Sequence, residues 1–124
     1  MKFLHVMIRV KNIEKSLKFY TELFDMNLAK EMRLDDCSLY FLSDKDGQTQ
    51  IELTHNDETP AEGYEIGTGF GHFAFGVKSM DEFTLKMQEN GYQYSVEPFK
   101  LDNYDLKIAF LKDPDGYEIE LIEE

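Results

Sequence analysis

Apolar side chains recur at every second position over residues 3–10, and the aliphatic ones fall on one side: Leu4, Val6, Ile8 and Val10. The residues between them include His5 and Arg9 and belong to the opposite side. Successive side chains of a β-strand point to opposite faces, so this alternation is typical of a strand. The pattern predicts a first strand over Phe3–Val10, with a histidine and an arginine on its non-aliphatic face.

A helical pattern follows the first strand. Asn12 precedes apolar residues at helical spacing and is a predicted N-cap, and Asn27 is a predicted left-handed stop. Residues Asp44–Gly47 are typical of a turn, with glycine at the position that needs positive φ, and this turn precedes the last strand of the first half. Three strands are predicted after the helix: Leu28–Leu34, Cys37–Ser43 and Thr49–Thr54.

The second half of the chain repeats this order after a predicted polar loop over His55–Phe70. The helix is predicted to begin after Ser79 and to stop at Gly91, and Asp113–Gly116 matches the earlier turn. Four strands are predicted around these elements: Gly71–Val77, Tyr92–Glu97, Asp105–Lys112 and Tyr117–Glu123.

One strand, one helix and three strands therefore occur twice, in residues 1–57 and 70–124. This order predicts an α+β fold of two tandem βαβββ modules that form a curved mixed sheet with the helices on its outer face. A half of about 60 residues buries only roughly 60% of its surface alone. We therefore expect one domain over residues 1–124, and not two independent domains.

Composition narrows the classes of function. The 124 residues carry 25 acids and 13 bases, a net charge of −12 that disfavours nucleic acid and anionic membranes as partners. The single cysteine, Cys37, excludes an internal disulfide and suits the reducing cytoplasm. His5 and Arg9 interrupt the short apolar run at the N-terminus, so this run is predicted to be neither a signal peptide nor a membrane span.

Two histidines and two glutamates recur at matched spacing. Glu52 lies 47 positions after His5, and Glu120 lies 48 positions after His72. All four are predicted on strand faces opposite the aliphatic residues. Two imidazoles and two carboxylates suit a divalent transition metal, whereas carboxylates about 4 Å apart without a cation repel by about 4 kcal/mol at a protein-like dielectric. Either histidine alone is more often structural than a ligand, so the metal hypothesis depends on the recurrence.

The segments HVMIRVKNIEKSLKFY, IELTHN, GHFAFGV and DPDGYEIELIEE resemble the glyoxalase I (lactoylglutathione lyase) family of the vicinal oxygen chelate superfamily. The resemblance covers nearly the whole chain. It implies one divalent metal per site in a homodimer, and it favours nickel or cobalt over zinc, although two histidines and two carboxylates fit any of these metals. One subunit would supply the first two ligands and the other subunit the last two: His5 and Glu52, then His72 and Glu120.

The resemblance also implies a reaction and a substrate. The substrate would be the hemithioacetal of methylglyoxal with a thiol such as glutathione, converted through an enediolate to the S-D-lactoyl thioester. Glu120 is the expected proton-transfer base, with Glu52 as a ligand and second candidate base. Arg9 and Asn56 match family positions that bind glutathione.

Two departures from the family pattern leave the identity of the thiol substrate undetermined. Thr68 stands where some members carry an arginine, and residues 98–105 lack a glycine-rich loop. Lys100 in that segment is a candidate for binding an anionic group of the substrate, and the alternative is that it is a solvated surface lysine. Glu118 and Glu123 are expected to be surface charges. The alternatives for function are another metalloenzyme of the superfamily, an epimerase or thiol transferase, and a metal-free binding or resistance module.

Overall fold

The chain follows the order of one strand, one helix and three strands twice. The computed structural model describes residues 1–124, and the chain divides into two units, Met1–Glu65 and Ile66–Glu124. The predicted α+β class and the tandem βαβββ order are confirmed. The division falls inside the predicted loop, and the grouping of both units into one domain stays a prediction.

The first unit contains a four-stranded mixed sheet of order β1-β4-β3-β2. The edge strand β1 pairs in parallel with β4, whereas the other neighbours are antiparallel. A π-helical turn over Phe19–Leu23 extends the helix. The elements are β1 (Val6–Arg9), α1 (Ile13–Lys18), β2 (Asn27–Arg33), β3 (Cys37–Ser43) and β4 (Gln50–Asn56).

The second unit repeats the topology as β5-β8-β7-β6, with β5 parallel to β8. Hydrogen-bonded pairing stops at the edge strands of each unit, so the eight strands form two four-stranded sheets rather than one continuous sheet. The elements are β5 (His72–Val77), α2 (Met80–Glu89), β6 (Tyr94–Leu101), β7 (Leu106–Lys112) and β8 (Glu118–Glu123). Neither helix has the length and apolar character needed to cross a bilayer.

Both predicted N-caps are confirmed. The side chain of Asn12 accepts a hydrogen bond from the Lys15 backbone at 3.0 Å, and Ser79 accepts one from the Glu82 backbone at 3.2 Å. The predicted stop at Asn27 is wrong, because Asn27 begins β2 and the left-handed residue is Asp25, with φ of 54°. The short polar side chain of aspartate tolerates this conformation almost as asparagine does, so sequence alone selected the wrong residue.

The two predicted turns are confirmed and deliver equivalent strands. The backbone N–H of Gly47 donates to the Asp44 carbonyl, and that of Gly116 to the Asp113 carbonyl, each at 3.0 Å. Both glycines have positive φ, 70° and 94°. Asp113 is buried, and its carboxylate accepts backbone hydrogen bonds from Asp115 and Tyr117, which fixes the entry into β8.

Each unit buries the aliphatic side of its strands together with apolar residues of its helix. In the first unit these residues are Ile8, Val10, Phe19, Tyr20, Leu23, Ile51 and Leu53. In the second unit they are Met80, Phe83, Met87, Ala109, Leu111, Ile119 and Leu121. Because side chains alternate along a strand, the positions between these core residues point to the other side of each sheet.

Three strands, β1, β4 and β6, differ from their predicted bounds by two or more residues at one or both ends. Strand β1 begins at Val6, so His5 lies immediately before it, and β4 extends through Asn56, which pairs with Cys37. Strand β6 extends to Leu101 and therefore includes Lys100. Its pairing with β7 contains two register shifts, which interrupt the alternation that would reveal a strand in the sequence.

The prediction that Glu123 is a surface charge is wrong. One of its carboxylate oxygens accepts a hydrogen bond from the backbone N–H of Met80 at 2.6 Å, at the start of α2. The first N–H groups of a helix have no partner within the helix, and they favour negative charge. Glu118 is half-buried, accepts a hydrogen bond from Ser95 and lies 3.8 Å from the Lys112 ammonium.

We expect Glu123→Ala to lower the free energy of unfolding by about 1 kcal/mol, as the loss of a helix cap does. Glu123→Gln retains an acceptor oxygen and should lose only a few tenths of a kcal/mol, from the weaker dipole interaction. Urea unfolding midpoints at constant m-value measure both changes. Equal destabilisation by alanine and glutamine would show that the hydrogen bond to Met80 contributes nothing.

Candidate functional site

The first pair consists of His5 and Glu52 in the first unit. Glu52 lies in the middle of β4, where it is in register with Met7 of β1 and Phe41 of β3. His5 precedes β1 by one residue, and its Nε2 lies 3.3 Å from Oε1 of Glu52. His5 is thus two positions before Met7, the register partner of Glu52, and its imidazole reaches the Glu52 carboxylate.

The second pair consists of His72 and Glu120 in the second unit, and it repeats this arrangement. Glu120 lies in β8, in register with Ala74 of β5 and Phe110 of β7. His72 is again two positions before the register partner, and its Nε2 lies 3.1 Å from Oε2 of Glu120. The matched spacing in the sequence thus reflects matched strand register.

An aromatic ring packs against each imidazole. The rings of His5 and Phe41 meet edge to face with centroids 5.4 Å apart, and those of His72 and Phe110 with centroids 5.5 Å apart. These contacts restrict rotation of the imidazoles. The sequence prediction missed both phenylalanines, although each lies 10 or 11 positions before its glutamate, at Phe41–Glu52 and Phe110–Glu120.

Both carboxylates are more buried than their histidines. The side chains of Glu52 and Glu120 are 11% and 17% exposed, against 34% and 43% for His5 and His72. Neither carboxylate contacts a lysine or an arginine. Because a buried charge is costly without a partner, each pair is suited to binding a cation through one imidazole nitrogen and one carboxylate oxygen.

The two pairs differ in one hydrogen bond. The hydroxyl of Thr54 donates to Oε2 of Glu52 at 2.7 Å, and both side chains are buried. The residue two positions after Glu120 is Ile122, which has no hydroxyl. The carboxylate of Glu120 contacts only His72 among polar side chains. Sequence reasoning did not identify Thr54 as a functional residue.

Arg9 and Asn56 lie on the same face of the first sheet as Glu52. Arg9 is in register with Thr54, and Asn56 is two positions further along β4, so strand alternation places all of these side chains on one side. The amide Nδ2 of Asn56 donates to the Tyr64 hydroxyl at 2.7 Å. Tyr64, in the loop after β4, is a further residue that the sequence pattern did not reveal.

The end of β4 is held by an ion pair. Arg33 donates to both carboxylate oxygens of Asp57, at 2.7 and 2.5 Å, and this hydrogen bonding lowers the pKa of Asp57 below its usual value. Cys37 is buried opposite Asn56, and burial raises the pKa of its thiol. A thiol in this environment is a packing residue rather than a nucleophile.

Lys100 lies on β6 in the second unit, apart from the second pair. Its ammonium is 3.3 Å from Asp105, and both side chains are exposed, at 67% and 92%. The structure shows no contact between Lys100 and either His72 or Glu120. Its role toward an anionic group stays a prediction, and the solvated ion pair is what the structure describes.

The potential metal ligands occur as two pairs. The chain contains no group of three or more histidine, cysteine, aspartate or glutamate side chains that could hold a metal ion. Each pair nevertheless offers a nitrogen and an oxygen donor separated by 3.1–3.3 Å. The donor chemistry therefore fits half of a transition-metal site in each unit.

Comparisons with known proteins extend over the whole chain. The family model described as Glyoxalase/Bleomycin resistance protein/Dioxygenase superfamily matches residues 2–121. A probable lactoylglutathione lyase of Synechocystis is 40% identical over 99% of this chain and 95% of its own. A lactoylglutathione lyase of Escherichia coli O157:H7 is 37% identical over 100% of this chain and 93% of its own.

Solved structures show the same fold. Glyoxalase I from Zea mays superposes with a TM-score of 0.86 at 32% identity, over 99% of this chain and 44% of the maize chain. A trypanothione-dependent glyoxalase I of Leishmania major gives a TM-score of 0.81 at 32% identity, over 100% of this chain and 87% of the other. The chain thus spans about half the length of the maize protein.

These similarities confirm the resemblance seen in the sequence motifs, and they confirm that the protein is an enzyme of the lactoylglutathione lyase-like class, a carbon–sulfur lyase. The chain belongs to the Glyoxalase/Bleomycin resistance protein/Dioxygenase superfamily.

Proposed function

We propose that this enzyme isomerises the hemithioacetal of methylglyoxal and glutathione to the S-D-lactoyl thioester, through an enediolate, and so removes methylglyoxal. The observation that carries this proposal is the recurrence of one histidine–glutamate pair at the same register in both units. The names of the relatives from Synechocystis and Escherichia coli support the reaction class.

The proposed site contains one divalent metal, held by both pairs. A protein-bound transition metal ordinarily takes three or four protein donors, and each pair supplies two. A homodimer provides the full set if His5 and Glu52 of one subunit meet His72 and Glu120 of its partner. The dication would balance the two carboxylates, and the resemblance favours nickel or cobalt over zinc.

The two units are proposed to act as one domain, since each holds half of the ligand set. The maize chain is more than twice as long as the part that this chain covers, as expected if one longer chain combines what two subunits provide here. Cytoplasmic location agrees with a thiol substrate and with a single free cysteine, Cys37. The net charge of −12 makes nucleic acid and membrane surfaces poor partners.

Glu120 is the proposed proton-transfer base. When bound, the metal polarises the two neighbouring oxygens of the substrate and stabilises the negative charge that develops on them. The carboxylate of Glu120 takes the proton from the carbon that bears sulfur and returns it to the adjacent carbon. The hydroxyl proton moves from the oxygen of the first carbon to the oxygen of the second, so the reaction is a balanced isomerisation. An oxygen of Glu120 is free of hydrogen bonds within the chain, whereas Glu52 is held by Thr54.

Arg9 and Asn56 are the proposed contacts for the thiol, because they share the sheet face of the first pair. Arg9 supplies positive charge for a carboxylate of glutathione, and the Asn56 amide supplies hydrogen bonds. The Tyr64 hydroxyl accepts from Asn56 and orients that amide. Lys100 remains a candidate for a second anionic group of the thiol.

Metal removal tests the proposed reaction. Protein stripped by a chelator should lose isomerisation of the methylglyoxal–glutathione hemithioacetal, and nickel or cobalt should restore more activity than zinc. Formation of the thioester, followed by ultraviolet absorbance, measures this. Absence of metal-dependent activity with glutathione and other low-molecular-weight thiols would overturn the proposal. Elemental analysis without bound metal would then favour a binding module.

Glu120→Gln should lower kcat by about 10²–10⁴-fold, the usual contribution of a general base. Glu118→Gln is the matched control, because Glu118 lies on the same strand and its carboxylate is engaged by Ser95 and Lys112 rather than by a histidine. We expect the control variant to keep kcat within about twofold, as surface substitutions do. Substantial turnover by Glu120→Gln at saturating metal would assign the base to another residue.

Tyr64→Phe should raise KM for the hemithioacetal about fivefold with little change in kcat, because the loss of one hydrogen bond costs about 1 kcal/mol. Tyr40→Phe serves as the control, since Tyr40 is in register with the core residue Leu53 on the opposite face of the first sheet. Steady-state kinetics of both variants measure the effect. A fall in kcat at unchanged KM would contradict a role in thiol binding.

A further inference from the structure

The two pairs are alike except for the side chain two positions after each glutamate. In β4 this residue is Thr54, and in β8 it is Ile122. Residues two apart on a strand share a face, so each lies beside its glutamate. Only Thr54 offers a hydroxyl, and it donates to Oε2 of Glu52 at 2.7 Å.

The backbone of Thr54 fixes where that hydroxyl lies. Thr54 is in register with Arg9 on one neighbouring strand and Leu39 on the other, and its carbonyl accepts a hydrogen bond from the Val10 N–H at 3.0 Å. Strands on both sides therefore immobilise the residue. At 6% exposure, its hydroxyl has little access to solvent as an alternative partner.

The hydrogen bond leaves the two oxygens of Glu52 in different environments. Oε2 is engaged by Thr54, whereas Oε1 lies 3.3 Å from Nε2 of His5. A hydrogen bond to an ionised carboxylate is short and about twice as strong as a neutral one. The Glu52 side chain is thus oriented by the protein, with Oε1 and the imidazole nitrogen presented side by side.

Glu120 has no equivalent restraint. Its only polar side-chain contact is His72, and its side chain is more exposed than that of Glu52, at 17% against 11%. Proton transfer between two carbons requires a carboxylate oxygen that can reach both. The carboxylate beside Ile122 has this freedom, and the carboxylate beside Thr54 does not.

We propose that Thr54 is a positioning residue that dedicates Glu52 to binding the metal through Oε1 and prevents it from acting as a base. The contrast between Thr54 and Ile122 then decides which glutamate moves the proton. This inference rests on the proposed function, and it goes beyond it by giving the two glutamates different roles for a stated structural reason.

Nickel affinity of the full-length apoprotein gives the first test, without any turnover. Thr54→Val keeps the side-chain shape but removes the hydroxyl, and it should weaken nickel binding about 10-fold or more, as loss of a hydrogen bond to a metal ligand does. Thr54→Ser keeps the hydroxyl and should stay within about threefold of the original protein. Competition with a chromophoric chelator measures all three dissociation constants.

Residual turnover gives the second test, at saturating nickel. Glu120→Gln combined with Thr54→Val frees Glu52, so the double variant should turn over at least about 10-fold faster than Glu120→Gln alone. Conversely, Ile122→Thr introduces a hydroxyl beside Glu120 and should lower kcat about 10-fold while nickel affinity is retained. This second variant alters a different strand and tests the inference even if Thr54→Val fails to fold.

The outcomes separate the inference from the proposed function. A protein that binds no nickel and shows no activity before substitution would overturn the proposed function itself. An active, nickel-binding protein whose Thr54→Val variant keeps the original affinity would overturn the role of Thr54. The same holds if the double variant turns over no faster than Glu120→Gln.

Discussion

The structure depends on the register between an edge strand and the parallel strand beside it. In the first unit β1 lies beside β4 so that Met7 is opposite Glu52, and in the second unit Ala74 is opposite Glu120. A shift of one residue would turn each glutamate toward the aliphatic core. The core residues on the other face enforce the register, so the packing that stabilises each sheet also brings each imidazole to its carboxylate.

Each histidine–glutamate pair places a carboxylate in a mostly buried position. A carboxylate that is mostly withdrawn from water is costly, and a single imidazole that is charged only when protonated offsets this cost only in part. Neither Glu52 nor Glu120 has the lysine or arginine that a structural ion pair would use. By contrast, the carboxylates of Asp57 and Glu118 contact Arg33 and Lys112. The pairs are therefore better suited to a cation from solution than to stability.

Repetition with one difference is what makes the two units chemically complementary. Both deliver a histidine, a glutamate and a phenylalanine through the same register. The threonine beside Glu52 donates a hydrogen bond to its carboxylate, whereas the isoleucine beside Glu120 offers none. A duplicated module can acquire a division of roles in this way through a single side chain, without any change of fold.

The sequence by itself determined the α+β class, the two helix caps, the glycine turns and the histidine–glutamate spacing, because these depend on neighbours in the chain or on strict alternation. It misplaced the end of the first helix, because Asp25 and not the predicted Asn27 adopts the left-handed conformation. It also misplaced the limits of β6, because bulges break the alternation along that strand. Only the tertiary structure decided that Glu123 caps α2, that Tyr64 meets Asn56 and that Thr54 holds Glu52. Alternation placed Thr54 on the face of Glu52, but the hydrogen bond between them depends on strand pairing and side-chain orientation. The other two contacts join residues from separate elements. Local sequence patterns therefore do not reveal any of these three contacts.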